Sequence, residues 1–321
     1  MHNILDCTAC DVAIIGSGPT GIAAALTLKK AGISDIVIID RETEAGGIPR
    51  HCGHPPFGLL EHKKIMTGPA YARYNIEKAK AASLFLSLKT TVTRLEKGGS
   101  ISFITPDGAG QLRAKRVLLA TGTRETPRSA RFVSGDRALG ICNTGALQSM
   151  IYLKNLRPFQ SPLVVGSEVV SLSALWTCKK AGITPVAILE ENKKTTVNWP
   201  LNLAPRYFGV PLFLQTKIVA IHGNGRVEAV QTVDASGRIR EHICDGVLFT
   251  GCFTPESSLA RLSHLAMAPG TGAPLVDNTG RCSDPVYYAA GNVIFSPVKV
   301  AGRCWQNGCN VGRAICRDLR K

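Results

Sequence analysis

Three observations predict an α/β fold. Short apolar strands alternate with helical stretches, strand–turn–helix units open at Asp11 and again at Ser161, and 45% of the 321 residues are hydrophobic, enough to build the cores of two domains. The first unit organises the chain. Asp11-Val12-Ala13-Ile14-Ile15 reads as a buried parallel strand, Gly16-Ser17-Gly18-Pro19-Thr20-Gly21 as a glycine turn, and Ile22 to Lys30 as an alanine- and leucine-rich helix with no interior breaker. Gly16 permits the tight turn, Gly18 lets backbone approach a pyrophosphate, and Gly21 lets helix pack on strand, while the helix N-terminus offers free N–H groups to the anion. A second strand, Asp35 to Ile39, delivers Asp40 about 20 residues beyond the glycines, where a carboxylate takes ribose hydroxyls.

Past that acid, Arg41-Glu42-Thr43-Glu44-Ala45-Gly46-Gly47 adds a glycine pair. Together with the first unit this resembles the flavoproteins with two dinucleotide-binding domains, the thioredoxin reductase and glutathione reductase superfamily. The resemblance implies FAD at the first site, held by Gly16, Gly18, Pro19, Thr20, Gly21, Asp40, Arg41, Gly46 and Gly47. It covers nearly the whole chain. Ala114 to Ala120 reads as a strand closing on Ala120-Thr121-Gly122, similar to the superfamily's second FAD contact, and Asp284 to Asn292 resembles its closing FAD motif, with Gly291 followed by Asn292 where most members carry Asp. A last helix beginning near Val300 and Ala301 would turn its N-terminus toward the flavin pyrimidine ring, where its dipole favours anionic reduced flavin. The architecture implied is two Rossmann-like domains, the second inserted in the first: a discontinuous FAD domain, 1–122 and 252–321, and a degenerate NAD(P)-binding-like domain, 123–251.

Ile48-Pro49-Arg50-His51-Cys52-Gly53-His54-Pro55-Pro56-Phe57-Gly58 is an ordered loop leaving the glycine pair. Counted without gaps from Gly46-Gly47, the two redox cysteine positions of glutathione reductase-type enzymes are Pro49 and His54 here. In the thioredoxin reductase branch the dithiol lies in the second domain, and the corresponding Cys142-Asn143-Thr144-Gly145 retains one sulfur. A disulfide-exchange reaction needs two. The loop, continuing to Gly68-Pro69-Ala70-Tyr71-Ala72-Arg73, is similar to the flavoprotein subunits of multi-subunit amine and imino-acid dehydrogenases, among them opine oxidase, D-hydroxyproline dehydrogenase, dye-linked proline dehydrogenase and hydrogen cyanide synthase. His51, Cys52 and His54 are the catalytic candidates, shaping the flavin face or a partner contact, with either histidine suited to proton transfer. As a metal site one short loop supplies too few ligands, and no metal is expected.

In the second strand–turn–helix unit, Val165-Gly166-Ser167-Glu168-Val169-Val170-Ser171, only the first glycine of the pattern survives. Glu168 stands where backbone must approach the pyrophosphate, obstructing it and repelling it by of order 1–4 kcal/mol at ~4 Å. The following strand still ends in Glu190-Glu191. NAD(P) is therefore not expected as a cofactor.

Along the rest of the chain, Lys63 to Ala82 reads as one helix and Leu212 to Ile221 as the first strand of a meander. The net charge of +15 suits anionic ligands, but the basic residues are scattered and not interleaved with aromatics, which argues against nucleic acid. Eleven cysteines, an odd number irregularly spaced, fit free thiols in the cytoplasm. Cys7-Thr8-Ala9-Cys10, with no second pair to complete a zinc site, reads as small residues entering a strand, a cluster ligand or an exposed thiol pair being the alternative; Cys304, Cys309 and Cys316 would scatter around a helix, so buried thiols are expected there rather than a cluster. No run of 18 apolar residues marks a membrane span, and no secretory leader is seen.

The expected function is an FAD-dependent oxidoreductase component of a hetero-oligomeric dehydrogenase acting on an amine, imino acid or opine-like compound. Its partner would be a second flavoprotein or an iron–sulfur protein of the same complex. The alternatives are a stand-alone NAD(P)H-dependent flavin reductase or oxidase, and a non-catalytic FAD-stabilised scaffold.

Overall fold

The computed structural model describes residues 4–294 and 299–321. Among the described residues five helices run longer than ten residues: α1 (Pro19–Lys30), α2 (Gly68–Ala81), α3 (Thr144–Lys154), α4 (Val169–Ala181) and α5 (Ala301–Leu319). The chain divides into two compact units. The first comprises Met1–Arg50, Pro55–Arg124 and Thr254–Lys321; the second comprises Glu125–Phe253 together with His51–His54. Those four loop residues thus group with the second unit, whereas their place in the sequence put them in the first.

The first unit is built on six strands, β1 (Ala9–Ile15), β2 (Ile36–Ile39), β3 (Phe85–Ser87), β4 (Thr91–Leu95), β5 (Ser100–Thr105) and β6 (Gly108–Leu119), in the order β3-β2-β1-β6-β5-β4, with Tyr287–Ala289 also paired to β6. Parallel register aligns Ile15 with Ile39 and Leu119, and Leu119 with Ala289. The loops that follow these four ends therefore leave from one edge of the sheet. That edge is where ligands bind in open α/β sheets.

Burial on both faces explains the continuous apolar runs. Ala13, Val37, Val117 and Tyr287 face one core, while Val12, Ile14, Ile38, Leu118 and Tyr288 face another, shared with Ile22 and Leu28 of α1 and Ile315 of α5. Close packing of α1 on α5 depends on two glycines a turn apart. A Cβ on Gly308 would run into the Thr20 carbonyl, and one on Gly312 would sit 3.0 Å from the Ala24 carbonyl oxygen.

The helix expected over Lys63 to Ala82 is shorter, covering Gly68–Ala81. One turn, Leu59–His62, stops at Lys63 in the left-handed region (φ 55°), and α2 begins only at Gly68, with Pro69 in its first turn, where a missing N–H costs nothing.

The second unit has a five-stranded parallel sheet in the order Leu212–Leu214, Ala187–Glu190, Pro162–Val165, Gly246–Phe249, Ile141–Asn143. An antiparallel meander, Thr216–His222, Ala229–Asp234 and Ile239–Ile243, accompanies it. Leu212 to Ile221 is accordingly not one strand. Gln215 (φ 49°) breaks it, so its first three residues extend the parallel sheet and the remainder opens the meander.

Candidate cofactor site

At the carboxyl edge of the first sheet, the glycine turn is held by hydrogen bonds from both sides. Gly16 N donates to Ile39 O (2.8 Å), and Asp40 Oδ2 accepts from Ser17 N (2.7 Å) and Ser17 Oγ (2.5 Å). Asp40 Oδ1 accepts from Glu42 N (3.0 Å). The carboxylate expected to take ribose hydroxyls thus also staples the turn to the loop after β2. Gly46 N donates to Ser17 O (3.1 Å), and a Cβ on Gly47 would lie 2.9 Å from Gly18 Cα, so the two glycine stretches touch directly.

The third loop closes from the other side. A Cβ on Gly16 would collide with the Ala120 carbonyl, Thr121 Oγ1 donates to Glu256 O (2.6 Å), and Glu256 N donates to Gly122 O (3.0 Å). Glu256 pairs with Arg124 (3.6 Å) and, at 4.0 Å, with Arg41. Gly291 (φ 77°) packs on the Thr20 side chain, and its N–H donates to Asn307 Oδ1 (2.5 Å). Asn292 follows, half-buried. Thr20 Oγ1 donates to Cys304 O (3.2 Å), tying α1 to the first turn of α5, which opens at Ala301 with Val300 as its N-cap. The structure therefore brings the expected cofactor residues together. Ser17, Glu256 and Asn307 join them; Ser17 stood inside the glycine motif, but nothing in the sequence singled out the other two.

These residues fit a dinucleotide. Gly18, the N-cap of α1, has ordinary extended backbone (φ −72°, ψ −176°), and a Cβ there would meet only Gly47 Cα at 3.9 Å. A Cβ on Gly122 (φ 78°) would meet nothing within 4 Å beyond its chain neighbours among the described residues. Both positions leave backbone open to a ligand. Arg50, whose side chain is 10% exposed, pairs with Glu42 (3.9 Å) and donates to Glu44 O, while its buried Nε has no hydrogen-bond partner.

The second unit repeats the first, with its mouth filled. Gly166 has the φ of Gly16 (112° against 113°), Ser167 Oγ donates to Glu190 Oε2 as Ser17 does to Asp40, and Ser167 Oγ accepts from Thr196 N (2.9 Å). Glu168, at the N-cap of α4, has nearly the backbone of Gly18 (φ −75°, ψ 172°). Its side chain turns into the turn itself. Thr250 Oγ1 donates to Glu168 Oε2 (2.9 Å), and a Cβ on Gly166 would lie 2.6 Å from that oxygen, while one on Gly251 would strike Oε1. Burial raises the Glu168 carboxyl above the usual range, against the hydrogen bonds it accepts.

The catalytic candidates His51, Cys52 and His54 belong to the second unit. Cys52 is buried there, donating to Gln148 Oε1 (3.4 Å), whose Nε2 donates to Ser173 Oγ (2.6 Å). Gly53 leaves room for the Tyr152 ring. Burial, and then the Glu125 carboxylate, push the Cys52 thiol from 9.0 up to about 12. A thiol so held is a packing group, not a nucleophile. Stability derived from it is present below its unfolded value and is lost as pH climbs from 9.0 toward about 12. At pH 8 iodoacetamide should therefore alkylate exposed Cys252 while sparing Cys52, and Cys52→Ser should lessen the alkaline loss of stability. Equal alkylation rates at the two cysteines would contradict this.

Glu125 stands beside the position of Cys142 and Gly145. Its Oε2 accepts from Gly145 N (2.7 Å) at the start of α3 and its Oε1 from Gly251 N (3.1 Å). Cys142 is itself pushed up to about 12 by burial. No disulfide joins any of the eleven cysteines, and no group of three or more His, Cys, Asp or Glu gathers at metal-binding distance among the described residues. No described helix is long and apolar enough to cross a membrane.

This fold and site define a two-domain oxidoreductase of the dinucleotide-binding class. The chain belongs to the pyridine nucleotide-disulphide oxidoreductase family, whose model matches residues 10–310. The family binds FAD, and its name gives no support to the expectation that NAD(P) is not used. The alpha subunit of sarcosine oxidase from Rhizobium meliloti (strain 1021) is 24% identical over 78% of this chain and 25% of its own length. The A-type subunit of opine oxidase from Rhizobium meliloti is 23% identical over 88% of the chain and 58% of its own length. The chain thus spans a quarter of the one and somewhat over half of the other. The ferredoxin–NAD(+) reductase component of the biphenyl dioxygenase system of Paraburkholderia xenovorans (strain LB400) is 27% identical over 91% of the chain and 69% of its own length. Among solved structures, T. acidophilum thioredoxin reductase superposes with a TM-score of 0.82 at 22% identity, covering 98% of this chain and 99% of its own. L-proline dehydrogenase from P. horikoshii gives 0.74 at 19% identity, covering 99% and 57%. At those identities the structures attest the fold alone.

Proposed function

We propose that this chain is the FAD-binding subunit of a multi-subunit dehydrogenase that oxidises an amine, imino acid or opine-like compound. The observation that carries the reading is the Glu168 carboxylate lodged between Gly166 and Gly251, at the place where a pyridine nucleotide's pyrophosphate would enter. The missing dithiol agrees with it, since Cys142 has Gly145 in place of a second sulfur. Reducing equivalents would then come from a small-molecule donor and not from NAD(P)H. Bound FAD supplies hydride and single-electron acceptance. The chain's own residues hold it: the N-terminus of α1 and Gly18 at the pyrophosphate, Asp40 at the ribose, Asn292 and the N-terminus of α5 on the flavin side. His51 and His54 are the candidates for moving a proton, and Cys52 positions their loop. The two oxidase subunits among the relatives favour a partner chain that completes the substrate site, and a reducing compartment such as the cytoplasm suits eleven cysteines without a disulfide.

A second reading, an NAD(P)H-dependent flavin reductase, is favoured by the intact Ser167–Glu190 staple and by the ferredoxin–NAD(+) reductase relative. An anaerobic absorbance titration of the FAD-loaded chain separates the two, adding NADH, NADPH, then L-proline, D-hydroxyproline, sarcosine and opines, with and without a co-expressed partner chain. Bleaching by an amine alone is expected. Bleaching by NAD(P)H would establish the reductase instead.

A further inference from the structure

We propose that the segment Asn198–Tyr207 of the second unit rests on an anionic lipid surface. It carries four large apolar side chains turned to solvent: Trp199 (78% exposed), Leu201 (48%), Leu203 (52%) and Tyr207 (71%). They are not a frayed end. Buried Val197 and Val210 flank the segment and buried Pro205 anchors it from within, and its middle is helical, one short turn over Leu201–Leu203 running into another over Ala204–Tyr207. Leu203 and Tyr207 are therefore one helical turn apart and share a face.

Charge chooses the occupant. From Asn192 to Lys217 there is no Asp or Glu, while Lys193, Lys194, Arg206 and Lys217 are all cationic. Lys179 adds another, its ammonium 5.1 Å from the Tyr207 ring centroid. Indole and phenol rings with Lys and Arg nearby are what the headgroup level of a bilayer accepts, the rings at the acyl boundary and the cations among anionic headgroups. A protein partner would more often meet an apolar centre with a rim of both signs, and a second copy of the same cationic face would be repelled. Since no described helix can span, the contact is peripheral.

The test is co-sedimentation of the full FAD-loaded chain with phosphatidylcholine vesicles, with and without phosphatidylglycerol. Binding is expected only with phosphatidylglycerol, and brominated lipid should quench part of the wild-type tryptophan fluorescence. Lys193→Glu/Lys194→Glu and Trp199→Ser/Tyr207→Ser should each weaken binding by roughly tenfold or more. Lys80→Glu/Lys97→Glu, an equal charge change on exposed residues of the first unit, should retain most of it. The proposal is overturned if wild-type chain ignores anionic vesicles, or if the control pair loses as much as the segment pair, which would mean diffuse attraction to a cationic protein. It is equally overturned if the segment variants change only the oligomeric state or the hold on an acidic protein while vesicle binding persists.

Discussion

Gly21→Ala is expected to destabilise the first unit by about 3 kcal/mol or more, seen as a fall in Tm of about 6–10 °C, and to abolish FAD retention. The added Cβ would drive into the Gly16 carbonyl oxygen and lie 3.2 Å from Ile14 Cγ2. Neither neighbour can give way cheaply. Gly16 is fixed by its bond to Ile39 O (2.8 Å) and Ile14 is fully buried in a central strand, so helix and strand must separate. Gly18→Ala provides the contrast. Its backbone suits any residue and its Cβ would meet nothing nearer than 3.9 Å, so the variant should melt like wild type yet bind FAD far more weakly. Thermal melts with flavin absorbance of the purified proteins read both effects at once. Full flavin content in Gly18→Ala would mean that the pyrophosphate does not pass over this turn.

That contrast also shows what the sequence could and could not convey. The roles of Gly16 and Gly21 are local, decided by a turn and by a helix crossing its own strand, and the motif exposes them. So is the ending of β2 at Asp40. Glu256 meets Thr121 across 135 residues of chain and Asn307 meets Gly291 across 16, and a carboxylate or amide in a loop or a helix has no period or spacing to betray it. Gly308 and Gly312 were legible in principle, four residues apart on one face of α5, but their partners Thr20 and Ala24 are known only from the packing. The grouping of His51–His54 with the second unit was beyond reach for the same reason. It rests on a thiol meeting Gln148, 96 residues away, and on a glycine that makes room for Tyr152. Conversely, the strand expected from Leu212 to Ile221 has the right composition throughout, and only the left-handed Gln215 divides it.

Glu168→Gly should open the second unit to pyridine nucleotides, tightening NADH binding by roughly one to three decades. The substitution asks nothing of the backbone, because Glu168 already has nearly the φ and ψ of Gly18. What changes is the space between Gly166 and Gly251 and the charge held there. Two comparisons separate these causes. Glu168→Gln keeps the bulk and removes the charge, so it recovers most of the gain if repulsion dominates and little if the side chain simply fills the cradle. Wild-type protein offers the same distinction through pH. Its Glu168 carboxyl is raised by burial, so it sheds its charge on mild acidification sooner than an exposed carboxyl would. If repulsion is the barrier, wild-type affinity for NADH should improve as pH falls through that raised pKa, while Glu168→Gly shows no such trend. Binding isotherms from nicotinamide fluorescence would decide it. Should Glu168→Gly bind no better than wild type, the obstruction lies elsewhere, with Ser171 at the third glycine position the next residue to change.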